Sequence, residues 1–388
     1  MILTADLIGL HREEVAHVRA GIEAACGVAP THTMVCCSHT HSGPATRCIR
    51  FLGKPDEGYL ASLQRRLIGL AQEAKSLARP ATVSRGRAPV QVGVNRRARL
   101  ADGRMSIGAN PQGPVAPFVD VLVVNTEAGA PVARLFSHAA HPVTLRNENL
   151  RISGDWPGEA QRNVEGLCDA GCVALYAQGC CGNINSDEMG EDALRRQGRM
   201  VAEAVMEASA DAKAMRAPVL AAASVPARLP LMPPPPSPEL EKIIAEAEAE
   251  VARQRAAGGY GTVMMYEGYA QWARELLEMG DRWPRELPFE VQALRIGDLA
   301  LVGLPGEVFV EYQLAIADRS PFPQTVVAAY TNGNEGYIPT SAAYAEGGYE
   351  VQTAIRFYGT TMPQPQSEEL ILSAAQEALE QVAAVPPA

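Results

Sequence analysis

The chain has 388 residues, 47% apolar and 20% charged, a balance that allows a large buried core and excludes a disordered or fibrous protein. Lys and Arg total 34 against 44 Asp and Glu, and the net charge of -10 has the wrong sign for phosphate-backbone binding, so no nucleic acid partner is expected. No run approaches the ~18 apolar residues of a transmembrane segment, no basic and apolar leader opens the chain, and the adjacent pairs Cys36-Cys37 and Cys180-Cys181 are poor geometry for disulfides, so a cytoplasmic setting is expected.

An apolar run over 2–10, an amphipathic segment over 13–26 and a β-rich run over 33–37 predict a strand, helix, strand unit. A helix over 58–77 follows, then buried strands over 119–125, 132–137 and 173–177 and helices over 158–167 and 192–208. This alternation predicts an α/β fold with a central, mostly buried sheet flanked by helices. The stiff, polyproline-like run LPLMPPPP at 229–236 marks the start of an insertion over 229–285. Within it, 239–255 and 270–279 read as a helical hairpin around Gly258-Gly259, inserted into a single domain formed by 1–228 and 286–388. Strands over 289–296 and 299–304 and a closing amphipathic helix over 367–382 complete the pattern.

All seven histidines lie in the first 141 residues, which confines imidazole chemistry to that portion. His39 and His41 form an H-x-H at the end of an apolar strand, where a period of two puts both on one face beside the turn Ser42-Gly43-Pro44. A second pair follows the strand at 132–137. There His141 is held extended by Pro142, whereas His138 reads as a core histidine bonded to backbone. Asp155, in SGDWPGE, is well placed to cap a helix.

A divalent ion such as zinc takes three or four N, O or S donors, so the histidines want a carboxylate. Glu307 offers one at the mouth of an apolar strand ended by Pro305-Gly306, where a buried charge needs a cation; a glutamate at a helix N-terminus is the plainer alternative. The segment 330–349 packs four tyrosines among four glycines, phenols able to bind metal or to donate to an oxyanion, and singles out none of them. QGCCGN at 178–183 offers a thiol or a backbone N–H nest at a strand tip.

Together, SHTHSGP at 38–44, NR at 95–96, HP at 141–142, SGD at 153–155, AQG-x-x-GN at 177–183, LPGE at 304–307, and Tyr337 with Tyr349 resemble the catalytic domain of the neutral, non-lysosomal ceramidase family. Order and spacing match along nearly the whole chain. The resemblance implies a zinc-dependent amidase that splits the N-acyl bond of ceramide, acting on a small, lipid-like N-acyl amide. It implies zinc ligands at His39, His141, Glu307 and Tyr337, proton transfer by His41, and contacts to the scissile region from Arg96 and Tyr349.

The sequence departs from the family at Gly179, where the family has a substrate-contacting Ser, and the protein is expected to lack the family's C-terminal immunoglobulin-like domain and secretion signal. Its opening run resembles the family's second strand, whose missing neighbour is expected to be replaced by other contacts or by another copy of the chain in a homo-oligomer. These departures keep three rivals open: a hydrolase of another small amide or ester, a non-catalytic metal-binding protein, and a cysteine hydrolase using Cys180 or Cys181.

Overall fold

Side-chain alternation along the strand Phe118–Thr126 decides the layering. Val119, Val121 and Val123 point to one face, where they meet Trp156, Val164, Val201 and Val205 of the helices Asp155–Leu167 and Glu191–Ala210. Leu122 points to the other face and meets Leu294, Leu299, Leu301 and Val326 of a second sheet. The computed structural model, which describes residues 1–386 apart from 51, 147–148, 169–170 and 216–217, is therefore an α/β protein whose buried sheet layer is two sheets stacked face to face. Alternation in the sequence marks each strand as buried on both faces, without saying that another sheet covers one of them.

The first sheet has the order Lys213–Met215, Ala81–Pro89, Phe118–Thr126, Pro131–His138, Val173–Gln178. It is antiparallel up to its last pair, which is parallel and joined through helix Asp155–Leu167. The second sheet has the order Leu220–Pro230, Glu286–Ile296, Leu299–Gly303, Gln324–Ala328 and also ends in a parallel pair, joined through helix Val310–Arg319. Helix Ser367–Ala383 covers its outer face. The opening strand Ile2–Ala5 pairs in parallel with Met34–Cys37 of the same chain, across helix Arg12–Cys26.

Each parallel pair brings the carboxyl ends of its strands to one side, and in open α/β sheets ligands bind beyond those ends. Backbone hydrogen bonds stitch the ends together. Cys37 N donates to Tyr330 O at 3.1 Å, Ala329 N to Gln178 O at 2.9 Å, and Gly182 N to Val308 O at 2.8 Å.

The strand Leu220–Pro230 runs further into the proline-rich stretch than composition predicts, and it can do so because it is an edge strand, where a missing N–H need not break the ladder. Helices Ser237–Ala256 and Tyr260–Met279 then form a hairpin, the second starting ten residues before the 270–279 read from the sequence, with a small core of Leu240, Trp272, Leu276 and Trp283. The second helix stacks Tyr269 on Phe357 with ring centroids 5.2 Å apart, and Trp272 Nε1 donates to Thr360 O at 2.9 Å. The hairpin thus buttresses the segment that carries Tyr349 and Tyr358. No helix among the described residues is long and apolar enough to cross a membrane.

Candidate metal centre

The strand Met34–Cys37 ends two residues before His39, whose backbone is left-handed at φ 63°. A non-glycine residue there costs about 1–3 kcal/mol and persists only where surrounding contacts over-determine it. Those contacts are His39 N to Leu7 O at 2.9 Å, the Nδ1 bond to Ile8 O at 2.7 Å, and the Tyr330 ring stacked on the imidazole at 4.0 Å. The turn swings His39 toward His41, so their Nε2 atoms lie 3.2 Å apart. The two imidazoles share a centre because the chain turns at His39; alternation along a strand, the basis of the sequence expectation, has already stopped.

His141 arrives after the strand Pro131–His138, with Nδ1 2.6 Å from the Cys181 carbonyl. A carbonyl only accepts, so in both His39 and His141 the proton sits on Nδ1 and the Nε2 lone pair faces the centre, the arrangement that a backbone acceptor imposes on metal-binding histidines. His39, His41 and His141 present ring nitrogens within 4.8 Å of one another.

Glu307, in the short strand Glu307–Val308, is 3% exposed, and its Oε2 lies 3.2 Å from His141 Nε2 and 3.5 Å from His39 Nε2. Burial alone would raise its pKa, but positive charge at the His39 and His141 positions outweighs burial and holds it well below the usual carboxylate range; where those imidazoles are neutral, a bound cation has to supply that charge. With both imidazoles in the Nδ1–H form, two lone pairs face a carboxylate, a repulsive set unless a cation stands among them. The residues therefore fit a divalent ion. Tyr358 donates to the other oxygen, Oε1, and Arg47 lies over the Tyr358 ring at 5.3 Å. Gly182 admits the Glu307 backbone, since a Cβ there would stand 2.3 Å from Glu307 O.

Above this floor opens a cavity of about 790 Å3 whose wall includes His41, Arg96, His141, Asn185, Tyr337 and Tyr349. His41 is exposed to it, yet desolvation by the surrounding protein and the nearby His39 and His141 push its pKa well below the ordinary imidazole value. Tyr337 lies opposite Glu307 on the paired strand, and its phenol oxygen accepts from Arg96 Nη2 at 2.8 Å. Arg96 also gives Nε to Glu350 Oε1 at 2.8 Å and Nη1 to Asn185 Oδ1 at 3.0 Å. Tyr349 packs edge-on against Tyr337, with centroids 5.8 Å apart.

The structure thus brings His39, His41, His141 and Glu307 into mutual contact and sets Tyr337, Arg96 and Tyr349 on the cavity wall beside them. His138 stays in the core, bonded to Phe118 O at 2.8 Å, with burial lowering its pKa to about 4. Asp155 opens its helix and accepts from Trp156 N, Thr144 N and Leu145 N, folding the loop after His141 into the cavity wall. Cys180 and Cys181 are fully buried, and burial raises both thiols, so neither is poised as a nucleophile. Gly179 packs against Ala139, whose Cβ would lie 2.9 Å and backbone nitrogen 3.0 Å from an added Cβ, so a serine at this position would require Ala139 to shift.

Tyr358, Glu350 and Arg47 escaped the sequence reading because each acts through another side chain and belongs to no local pattern. For Tyr358, the one signal was a second aromatic in the same Gly-rich neighbourhood, nine positions beyond Tyr349.

No protein-family model matches the chain, and no curated protein matches it in sequence. Solved structures do match, ceramidases among them. The crystal structure of neutral ceramidase from Pseudomonas aeruginosa superposes with a TM-score of 0.70 at 19% identity, covering 98% of this chain and 66% of that one. A ceramidase complexed with C2 gives a TM-score of 0.71 at 18% identity, covering 100% of this chain and 68% of that one. This chain therefore spans about two thirds of the length of those enzymes, and over that length it has the fold of the neutral ceramidases.

Proposed function

We propose that the chain is a metal-dependent hydrolase of a linear N-acyl amide, ceramidase-like in the bond it cleaves, with zinc as the metal. The observation that carries this reading is the convergence of three Nε2 atoms and the Glu307 carboxylate at the floor of an open cavity, with the Nδ1 atoms of His39 and His141 tied to backbone carbonyls. The fold shared with ceramidases supports the choice of an amide. A mixed nitrogen and oxygen donor set suits zinc. His39, His141 and Glu307 would hold the ion, with the phenol of Tyr337 completing the set.

A bound ion would supply Lewis-acid polarisation of the amide carbonyl and activation of water. The chain's own residues do the rest. His41 is neutral at neutral pH because desolvation and the neighbouring imidazoles lower its pKa, so its imidazole can take the proton from the attacking water and return it to the leaving amine. Burial keeps the Tyr349 phenol protonated, and its O–H, without a protein partner among the described residues, is free to donate to the developing oxyanion. Arg96 anchors Tyr337 and Asn185 and lies 5.8 Å from the Tyr349 ring centroid, fixing the wall against which the carbonyl must sit.

The test is turnover of a short-chain N-acyl amide before and after chelation, with His41→Ala measured in parallel. Chelation should abolish activity and added zinc restore it. His41→Ala should retain metal and lose roughly 10^2–10^4-fold in kcat, the usual worth of a positioned acid/base. Hydrolysis that survives complete metal removal, or full activity in His41→Ala, contradicts the reading.

A further inference from the structure

We propose that the amide cleaved at this site carries a carboxylate, an inference that rests on the amidase reading above. The protein as a whole is acidic, at -10, yet its cavity wall holds Arg96 and Arg146 and, among the described residues, no Asp or Glu. Arg96 is answered from behind by Glu350, whereas Arg146 has no ion-pair partner among the described residues. Beneath them, a divalent ion held by the single charge of Glu307 would leave a further positive excess.

The neutral polar groups lean the same way. Asn185, on the cavity wall, spends its Oδ1 on Arg96 Nη1, which leaves its Nδ2 donors without a protein partner among the described residues. Tyr349 adds its O–H. A wall that carries free donors and cations and, among the described residues, lacks acidic acceptors favours an oxygen-rich, anionic group over a neutral diol or an ammonium. Ile107, Val143, Leu145 and Met189 supply an apolar strip for a hydrocarbon chain, and about 790 Å3 is the size of an ordinary small-molecule site.

The bond change is ordinary amide hydrolysis: water gives its oxygen to the acyl carbon, the C–N bond breaks, and a proton passes to the amine. The second carboxylate is a spectator that orients. It can sit on the amine side, as in an N-acyl amino acid, or on the acyl side, as in the half-amide of a dicarboxylic acid.

The experiment uses the metal-loaded full chain and two matched pairs. N-octanoylglycine is compared with N-octanoylethanolamine, and the octyl half-amide of succinic acid with N-octylbutanamide. At least one acid should exceed its neutral partner by about tenfold or more in kcat/KM, mostly through KM, the scale expected for one charge-assisted contact. The ratio should shrink in about 0.5 M NaCl, where the screening length falls to a few Å. Arg146→Glu should erase it and Arg146→Lys keep most of it. Hydrolysis of the neutral amides as well as or better than the acids in both pairs overturns the inference and leaves the amidase reading standing, as does a preference that survives Arg146→Glu. Failure to hydrolyse any of the four removes the amidase reading and the inference with it.

Discussion

Replacing Tyr358 by Phe removes one oxygen and keeps the ring, which is the part its surroundings grip. Arg47 lies over that ring at 5.3 Å, and Tyr337 meets it edge-on at 6.4 Å. The lost hydroxyl donates to Glu307 Oε1, so the change frees the carboxylate to rotate about its last torsion and turn Oε2 away from His39 and His141. A hydrogen bond to a charged group contributes about 1.5–3 kcal/mol. At 1.4 kcal/mol per decade this is roughly 10- to 100-fold, which agrees with the usual effect of losing a group that orients a metal ligand. The assay is a zinc titration of the apo-protein against a chromophoric chelator, with urea unfolding of the same apo-protein as a check on packing. The expected result is a 10- to 100-fold loss of affinity in a protein that still unfolds cooperatively. A variant that folds and binds zinc within about twofold of the parent would refute the claim that Tyr358 orients the carboxylate.

Two further outcomes follow from the packing and from burial. Gly182→Ala drives a Cβ to 2.3 Å from Glu307 O and should lower stability by about 1–3 kcal/mol or more, with loss of metal, while Gly69→Ala, in open space on a helix, should be neutral or slightly stabilising in the same urea titration. His138, with its pKa lowered by burial to about 4, stays neutral in the folded chain while the unfolded chain takes up its proton near the ordinary value of about 6.5. Its contribution is therefore intact above about pH 6.5 and is lost as pH falls toward 4, up to about 3 kcal/mol. His138→Gln should flatten that part of the unfolding free energy against pH, and an unchanged slope would contradict the assignment.

Much of the site was legible because its residues sit where apolar runs stop. His39, His141 and Glu307 each follow the end of a strand in a parallel pair, so a strand reading followed by a search of the next few positions finds them. The two-sheet stacking was not legible, since Leu122 and Val121 look equally apolar in the sequence and only the fold decides which meets a helix and which meets a strand. Nor was the anchoring of Arg96 by Glu350, which joins positions 254 apart through a short helix with no motif of its own. The H-x-H was recognised for its spacing, although the left-handed turn at His39 is what aims the pair.

The most direct measurement is the metal content of the purified protein and of its His39→Ala and Glu307→Gln variants. We expect close to one zinc per chain in the parent and far less in both variants, each of which should remain folded by circular dichroism. A folded parent that takes up no metal under saturating zinc, or a full equivalent retained when both His39 and Glu307 are replaced together, would contradict the account.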